Sequence, residues 1–231
     1  MERIYDHQRI REYLERHGLS ALFDAEHVPH FKLYRMEKGE VLCSEGERLE
    51  ELKILVKGRV KVTKTLPNGS SLLLRFNDAL SIMGEVELVT KKPAANTVTA
   101  AVECYVIGIS FSLLYENYYD NPRFLQYINQ YLGHRLYTSS NAAILNALTR
   151  VENRFASYLL ATHPDQEGTN SEEFRTENLV ETAALLGTSY RHLNRIINEF
   201  VSKQLVEKKN GRIVITDLEK LEELADGIKY E

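Results

Sequence analysis

Apolar residues change their spacing along the chain, and each spacing predicts a different kind of structure. Residues 1–27 carry apolar positions at helical spacing among charged residues, which is typical of an amphipathic helix. From Phe31 to Ser110, short β-rich runs alternate with turn residues, and Asn68-Gly69 between two alternating runs indicates a hairpin. Strands at such even spacing predict a sandwich or a closed roll.

Beyond Phe111 the apolar period changes from two to about 3.6 residues, which predicts a long helix over residues 122–147 and a second helix over 150–162. In the long helix, alternating steps of three and four residues connect Leu125, Ile128, Leu132, Leu136, Ser139, Ala143 and Asn146. Such a stripe is typical of an ordinary core-facing helix and also of a coiled-coil seam between two copies. Because Ser139 and Asn146 are polar, the spacing alone leaves both interpretations open.

The most specific pattern runs from Leu179 to Phe200. A first helix ends at Gly187, a residue that readily takes the left-handed backbone of a tight turn. Ser189 then stands where an N-cap belongs, so a second helix is expected to begin after it. The small residue Ala183 precedes the turn, where the two helices cross closely. This arrangement predicts a helix-turn-helix.

Both of these helices are amphipathic, and the pattern assigns a face to each residue. The residues expected to point inward are Leu179, Val180, Ala183, Leu186, Leu193, Ile196, Ile197 and Phe200. The residues left for solvent or a partner are Tyr190, Arg191, Asn194 and Arg195. Two alternating runs joined by Asn210-Gly211 follow, and they predict a hairpin wing.

Local charge favours a nucleic-acid interface here, although the chain as a whole is acidic. The 231 residues include 29 basic and 33 acidic side chains, a formal net charge of −4. From Gly187 to Thr216, however, six basic residues stand against two acidic ones, a net charge of +4. The tail from Asp217 onward, expected to form a short acidic helix, has a net charge of −4. A basic helix and wing fit a DNA-binding module.

Composition removes several other classes of protein. Hydrophobic residues at 43% and charged residues at 27% are typical of a globular chain of one or two domains. The charged N-terminal stretch lacks the apolar core of a signal peptide, and no apolar run approaches the roughly 18 residues of a membrane span. We therefore expect a cytoplasmic protein without membrane contact.

Candidate catalytic chemistry is sparse, so we expect no catalytic residue, no metal and no cofactor. Cys43 and Cys104 fall in predicted strands, where a free cysteine is most often a small buried hydrophobe, with a redox pair as the alternative. A cupin-like metal enzyme is the competing class for a β-roll, but no histidine occurs from Phe31 to Gly133. The sequence also lacks phosphate-loop, dinucleotide-binding and nucleophile-elbow motifs.

At these motifs the chain resembles the cyclic-AMP receptor protein / fumarate-nitrate reductase regulator (CRP/FNR) superfamily of bacterial transcription factors, and in particular its YeiL-like members. The segment GTSYRHLNRIINEFVSKQLVEKKNGRIVI resembles the recognition helix and wing of that family. The segments KGEVLCSEGE, ILVKGRVKV and IMGEVEL resemble parts of its sensor roll, and VENRFASYLL resembles the helix after its dimer helix. The resemblance covers nearly the whole chain.

The resemblance implies a homodimer on double-stranded DNA, with the long helices paired through Leu125, Ile128, Leu132 and Leu136. A two-fold dimer would read an inverted-repeat operator whose half-sites lie about 34 Å apart. The residues implied to face base edges are Tyr190, Arg191 and Arg195. Those implied to approach the DNA backbone are Ser189 and His192 in the helix and Lys208, Lys209 and Arg212 in the wing. RNA polymerase and a small-molecule effector or redox signal are further implied partners.

The sensor roll departs from the pattern of cyclic-nucleotide binders. In those relatives a Gly-Glu pair is followed by an arginine that neutralises the cyclic phosphate. The pair is present as Gly84-Glu85, the candidate effector-binding residues, but Ala94 and Ala95 stand at the place of the arginine. Glu87 adds an acid where a small residue is usual. We therefore expect no tight binding of cyclic AMP.

A substitute cation and an iron–sulfur cluster are two further possibilities for the sensor roll. Lys91 or Lys92 could compensate for the missing arginine, although lysines in a polar loop are usually solvated. An oxygen-sensing iron–sulfur cluster is not expected, because it needs several N-terminal thiolates and none precedes Cys43.

The expected fold class is α+β, with an N-terminal cyclic-nucleotide-binding-like β-roll (a jelly roll), a long dimerisation helix and a C-terminal winged helix-turn-helix. The expected domains are the roll with its N-terminal helices over 1–121, the dimerisation helix over 122–148 and the DNA-binding domain over 149–231. The expected function is an effector-regulated transcription regulator. Besides the enzyme, the remaining alternative is an interaction adaptor that keeps the winged fold without binding DNA.

Overall fold

The computed structural model describes residues 1–65, 71–161, 179–209 and 211–225. The chain divides into two compact units, Met1–His134 and Arg135–Glu231. The boundary falls inside the longest helix, α4 (Pro122–Leu148). Within the described ranges, no helix is both long and apolar enough to cross a membrane.

The first unit is a roll of two antiparallel sheets. Its strands are β1 (Glu2–Ile4), β2 (Lys32–Met36), β3 (Val41–Cys43), β4 (Glu51–Lys57), β5 (Arg59–Thr65), β6 (Ser71–Asp78), β7 (Ile82–Met83), β8 (Thr97–Ala100) and β9 (Cys104–Ser110). One sheet has the order β1-β2-β9-β4-β7, and the other has the order β3-β8-β5-β6. The predicted turn at Asn68-Gly69 lies outside the described residues, but β5 and β6 on either side of it pair antiparallel, as a hairpin requires.

Short helices cover one side of this roll. They are α1 (His7–Arg16), α2 (Glu85–Thr90) and α3 (Phe111–Asn117), and α4 follows them. The α1 helix forms because Asp6 caps its first turn by accepting from the Arg9 amide, while Ile10 and Leu14 are buried on one face.

The predicted N-terminal helix over residues 1–27 is longer than the observed one. Helix α1 ends at Arg16, and two short 3₁₀ turns follow it, Ser20–Leu22 and Val28–His30. Residues 2–4 form the edge strand β1 instead, with Ile4 opposite Leu33 of β2. The sequence of β1 is charged and too short to show alternation, so only its pairing with β2 defines it.

Two clusters of buried side chains make the core of the first unit. The cluster between the sheets contains Met36, Leu42, Cys43, Leu55, Val60, Val62, Met83, Val98, Ala100, Cys104 and Val106. The second joins the five-stranded sheet to α1, α3 and the beginning of α4, with Phe31, Tyr118, Phe124 and Ile128 among its members. The prediction that Ile128 faces a partner subunit is therefore wrong, because this side chain is 3% exposed inside its own roll.

The second unit contains the rest of α4 and a small helical domain with a two-stranded hairpin. Its elements are α5 (Val151–Ala161), α6 (Leu179–Leu185), α7 (Tyr190–Ser202), β10 (Val206–Lys209), β11 (Arg212–Ile215) and α8 (Leu218–Ala225). The core includes Phe155, Leu159, Ala183, Leu193, Ile196, Ile197, Phe200 and Leu221. Helix α8 is the predicted acidic helix, and it packs Leu221 and Ala225 into this core.

One inward-facing prediction in this unit is wrong. Val180 was expected in the core, but its side chain is 67% exposed, whereas Leu179 and Ala183 on either side of it are buried. Helix α6 has only seven residues, so its buried stripe is narrow and follows Leu179, Thr182 and Ala183. Val180 lies about 100° around the helix from Leu179 and falls outside this stripe.

Candidate nucleic-acid interface

The turn between α6 and α7 is built as the sequence predicts. Gly187 has φ +61°, and the Thr188 amide donates to the Ala183 carbonyl at 2.9 Å, which closes the end of α6. Ser189 then caps α7, because its hydroxyl accepts from the His192 amide at 3.2 Å. The two ends hold the helices at a fixed angle, as a helix-turn-helix needs.

The core underneath determines which face of α7 meets solvent. Leu193, Ile196, Ile197 and Phe200 are each at most 1% exposed. Three other side chains point outward from the first half of the helix: Tyr190, which is 48% exposed, Arg191 and Arg195. Asn194, also expected on this face, is only half-buried. The structure thus brings one aromatic and two guanidinium groups together on a rigid helical surface.

The far end of α7 is electrostatically neutralised. Glu199 and Lys203 form an ion pair at 2.6 Å, and the Lys203 hydrogen bond lowers the pKa of the Glu199 carboxyl from its usual value. Arg195, one turn earlier, also helps to lower this pKa, although the hydrogen bond from Lys203 is the larger cause. The exposed face of α7 is therefore most cationic in its first two turns.

The hairpin wing has the register that a tight turn requires. Strand β10 pairs with β11 from Val206↔Ile215 to Lys209↔Arg212. Asn210 of the predicted turn lies outside the described residues, while Gly211 beside it has φ +72°. Lys209 is exposed at the tip of the hairpin, and Arg212 opposite it is half-buried.

Lys208 connects the wing to α7, a contact that sequence reasoning missed. Its ammonium donates to the Asn198 side-chain oxygen at 2.7 Å. An ammonium has three hydrogens, so two remain for a phosphate. Asn198 and Lys208 lie ten residues apart with a helix end between them, and no local spacing rule connects such a pair.

The ring of His192 is turned away from solvent. Its Nδ1 is 3.2 Å from the Thr188 hydroxyl, and its Nε2 is buried without a hydrogen-bond partner among the described residues. The implied contact of this ring with a DNA backbone does not fit that orientation. Instead, His192 contributes to the turn through its ring and to the Ser189 cap through its amide.

A buried arginine, also missed by the sequence analysis, holds the turn from below. Arg154 of α5 is 5% exposed, and its Nη2 donates to the Leu186 carbonyl at 2.8 Å. Its Nη1 donates to the Thr149 carbonyl just before α5. A guanidinium can satisfy several carbonyls at once in a fixed fork, which explains an arginine in this place. Arg154 thus positions the residue immediately before Gly187.

The second candidate site lies in the roll at Gly84 and Glu85. Gly84 has φ +92° and precedes α2, and Glu85 begins that helix with only 1% of its side chain exposed. A Cβ on Gly84 would lie 3.0 Å from the Glu51 carbonyl, so both space and backbone conformation favour glycine. The pair occupies a buried turn.

The loop where cyclic-nucleotide binders have an arginine is occupied differently here. The Ala95 amide donates to Glu87 Oε1 at 3.3 Å, and Lys64 donates to the Ala95 carbonyl at 2.7 Å. The ammonium of Lys91 lies 5.4 Å from the centre of the Tyr115 ring, so it faces an aromatic side chain of α3. Glu87 therefore places a negative charge beside the Ala95 amide, which is unfavourable for an anionic ligand at this loop.

The two cysteines are separate buried thiols. Burial raises the pKa of Cys43 to about 11, and it also raises the pKa of Cys104 above its ordinary value. The carbonyl oxygens of Arg59 and Val102 lie 3.2 and 3.3 Å from Cys104 Sγ, and the single thiol hydrogen can be donated to either. Thiols with raised pKa values are poor nucleophiles and poor metal ligands. In the described ranges, no group of His, Cys, Asp and Glu side chains could hold a metal ion.

Comparisons with known proteins match both units. A cyclic nucleotide-binding domain model matches residues 34–116, and a Crp-like helix-turn-helix domain model matches residues 153–224. The chain is 27% identical over 194 residues to the regulatory protein YeiL of Escherichia coli O157:H7, which covers 84% of this chain and 85% of the relative. It is 24% identical to a CRP-like cAMP-activated global transcriptional regulator of Mycobacterium tuberculosis, over 80% of this chain and 84% of the relative.

Solved structures agree on the fold. A putative transcriptional regulator of the crp/fnr family from Eubacterium rectale superposes with a TM-score of 0.76 at 18% identity, covering 94% of this chain and all of the other. The CRP-family regulator TTHB099 of Thermus thermophilus superposes with a TM-score of 0.68 at 22% identity, covering 86% and 98%. Taken with the domain order and the geometry of α6, α7 and the wing, these matches show that the chain belongs to the CRP/FNR superfamily of transcription regulators.

Proposed function

We propose that this regulator binds an inverted-repeat operator as a homodimer, with α7 in the major groove of each half-site. The observation that carries the proposal is the first half of α7, where Tyr190, Arg191 and Arg195 are exposed above a fully buried core. An arginine can donate two hydrogen bonds to guanine, and a tyrosine can contact bases or phosphates. Rigid support of these groups favours base reading over loose electrostatic attraction.

Contacts with the DNA backbone are assigned to the start of α7 and to the wing. Ser189 lies at the N-terminus of a 13-residue helix, where free amides favour a phosphate. Lys209 and Arg212 stand at the tip of the wing, and Lys208 reaches the same surface with its remaining hydrogens. The ring of His192 does not take part in these phosphate contacts, because its Nδ1 contacts Thr188 and its Nε2 is buried.

The dimer is assigned to α4. Leu136 is 71% exposed and Tyr137 is 67% exposed on this helix, which is unusual for large apolar side chains of a helix that has no partner. Leu132 and Leu125 are half-buried about one and three turns earlier on the same stripe. Because Ile128 is buried in the core of the roll, the proposed subunit contact uses Leu125, Leu132 and Leu136.

The remaining assignments follow the family. The roll over 1–121 is proposed as the sensor, with Gly84 and Glu85 at its effector site, followed by the dimerisation helix over 122–148 and the DNA-binding domain over 149–231. RNA polymerase is the proposed protein partner, the compartment is the cytoplasm, and no enzymatic activity is proposed. Effector binding would shift the population between dimers that fit the operator and dimers that do not.

The test is fluorescence anisotropy with DNA from upstream of the chain's own gene and with a shuffled duplex of equal composition. We expect tighter binding to the upstream DNA and an affinity that falls steeply with salt. An Arg191→Ala/Arg195→Ala variant should bind both duplexes equally weakly. Lys203→Ala/Lys220→Ala, which also removes two positive charges, is the charge-matched control, because each of these ammonium groups pairs with a carboxylate. Salt-insensitive or absent binding would favour the adaptor that keeps the winged fold without DNA.

The dimer is tested separately by sedimentation equilibrium. Leu136→Asp should shift the wild-type dimer towards monomer, because it places a charge in the apolar seam. Val180→Asp, an equally exposed apolar residue on α6, is the control. A wild-type chain that sediments as a monomer would overturn the proposed dimer.

A further inference from the structure

An arginine occupies an inward-facing position of the roll. In the β5–β6 pair, Arg75 lies opposite Val62 and Asn77 lies opposite Val60. Directly opposed residues of an antiparallel pair have their side chains on the same face of the sheet. Val60 and Val62 are at most 2% exposed in the cluster between the sheets. Arg75 and Asn77 therefore project from the interior face, where an apolar side chain would be ordinary.

Arg75 is half-buried, and the described residues compensate little of the water that its guanidinium loses. Its Nε donates to the Asn77 side-chain oxygen at 3.1 Å, and neither Nη atom has a hydrogen-bond partner among the described residues. Burial lowers the pKa of Arg75, the Tyr131 phenol opposes that shift, and no described carboxylate contributes to it. A desolvated charge without a counter-charge is costly, and proteins usually pair it.

The surroundings of Arg75 are polar on one side and belong to α4. The Tyr131 hydroxyl accepts from the Ile82 amide at 2.8 Å and donates to the Ile82 carbonyl at 3.2 Å, which fastens α4 to β7. Asn77, at 9% exposed, is held next to Arg75 on the same strand. A group bound at the two Nη atoms would therefore lie close to the junction of the roll with the long helix.

We infer that Arg75 is the anion-recognising residue of the effector site in this roll, and that the effector presents an oxyanion, a phosphate or a carboxylate, to its two Nη atoms. The planar guanidinium matches either oxyanion with two parallel hydrogen bonds. Ala94 and Ala95 offer no cation in the loop after α2, and Glu87 occupies the Ala95 amide. The positive charge of the site is thus on β6 instead of in that loop.

The inference rests on the proposed role of the roll as a sensor, but it is tested without DNA, so its failure is distinguishable from failure of the operator proposal. Thermal unfolding of the full chain is followed with increasing inorganic phosphate or succinate, against sodium chloride at the same ionic strength. We expect one oxyanion to raise the Tm of the wild-type chain in a saturable manner, because it binds only the folded roll. Whether phosphate or succinate does so identifies the type of oxyanion.

Three variants connect the effect to Arg75. Arg75→Met should weaken the oxyanion by about 10- to 100-fold and leave the Tm in chloride unchanged or higher, since it removes an uncompensated charge. Arg75→Lys, with a charge but no fork, should give an intermediate affinity. Arg59→Met is the matched control, because Arg59 on the neighbouring strand has its own partner in Asp78 and should not change the oxyanion response.

Three results would overturn the inference. The first is a wild-type chain that neither oxyanion stabilises beyond chloride. The second is an Arg75→Met chain that oxyanions stabilise as much as wild type. The third is a large fall in the Tm of Arg75→Met in chloride, which would show that Arg75 serves the fold and not a ligand.

Discussion

The winged helix and the roll both keep the fold of their family, but they differ in what the side chains of the fold present. In the winged helix, buried residues of α7 hold Tyr190, Arg191 and Arg195 towards solvent, where a large polyanion can reach them. In the roll, Ala94, Ala95 and Glu87 replace the cationic chemistry of a nucleotide phosphate site. The winged helix therefore exposes cationic groups that suit a polyanion, whereas the loop at Ala94 and Ala95 in the roll has no cation of its own.

This difference shows which functions can be inferred from a shared fold and which cannot. DNA presents the same phosphates and base edges to every member of a family. Exposed arginines on a supported helix therefore indicate DNA contact in any of them. A sensor pocket serves one ligand, and a few substitutions on its lining change the charge that it accepts. The side chains on the inner face of each roll therefore determine which ligand it binds.

The largest expected effect tests the core that supports the reading face. Phe200 is 1% exposed and its ring centre lies 5.4 Å from that of Phe155. Phe200→Ala should lower the free energy of unfolding by about 3–5 kcal/mol, and operator affinity should fall with it. Urea unfolding followed by circular dichroism measures the loss, and Val214→Ala, exposed on the wing, is the control. A loss below about 1 kcal/mol would resemble that of a surface substitution. The core beneath α7 would then not be what supports its exposed face.

A smaller effect separates base reading from general attraction. Arg195→Ala should cost about 1–3 kcal/mol of discrimination at one base step, measured as the ratio of affinities for the operator and for single-base variants. The same experiment on Lys203→Ala should leave every ratio unchanged. If Arg195→Ala weakens binding equally on all sequences, this arginine contacts phosphate only. The winged helix would then differ less from the roll, since this arginine would not read bases.

Contacts with phosphates should show in the salt dependence. Lys209→Ala is expected to weaken binding on all sequences and to reduce the slope of log K against log salt by about 0.9, the value for one phosphate contact. Anisotropy titrations at several salt concentrations measure that slope. Lys220→Ala, a lysine of α8 paired with Asp217, is the control, and an equal change in both variants would remove the wing from the interface.

The smallest expected effect is in the roll. Calorimetric titration with cyclic AMP should give no saturable heat, because Ala95 offers no cation and Glu87 is negative beside its amide. Glu87→Gln removes the charge while keeping the size of the side chain. Tight binding of cyclic AMP to the wild-type chain would show that the roll keeps the ligand of its relatives by other contacts, and the comparison between the two units would then fail.

Much of the second unit could be predicted from the sequence. Gly187, Ser189 and the stripe from Leu193 to Phe200 are local signals, since a turn conformation, a cap and a helical face all act within a few residues. The Asn198–Lys208 and Arg154–Leu186 contacts could not be predicted in this way. They join residues that only the packed domain brings together.

In the roll, the limits of prediction have another cause. The strands were visible as alternating runs, but β1 was missed because a three-residue edge strand has too few positions to show alternation. A helical stripe shows which residues share a face but not what that face meets, so the pattern predicts a partner subunit for Ile128, which the roll itself buries. Only the register of β5 and β6 shows that the half-buried Arg75 projects from the inner face of its sheet.

The sequence by itself determined the order of a β-rich sensor, a long helix and a basic winged helix, together with the absence of a cation at Ala94 and Ala95. The tertiary structure alone decided which apolar residues of α4 the roll buries, which side chains support α7, and that Arg75 faces the interior. The physical reason is the separation along the chain of the residues that interact. Turns, caps and periodicity are set by neighbours along the chain, whereas burial and charge compensation depend on residues that folding brings near.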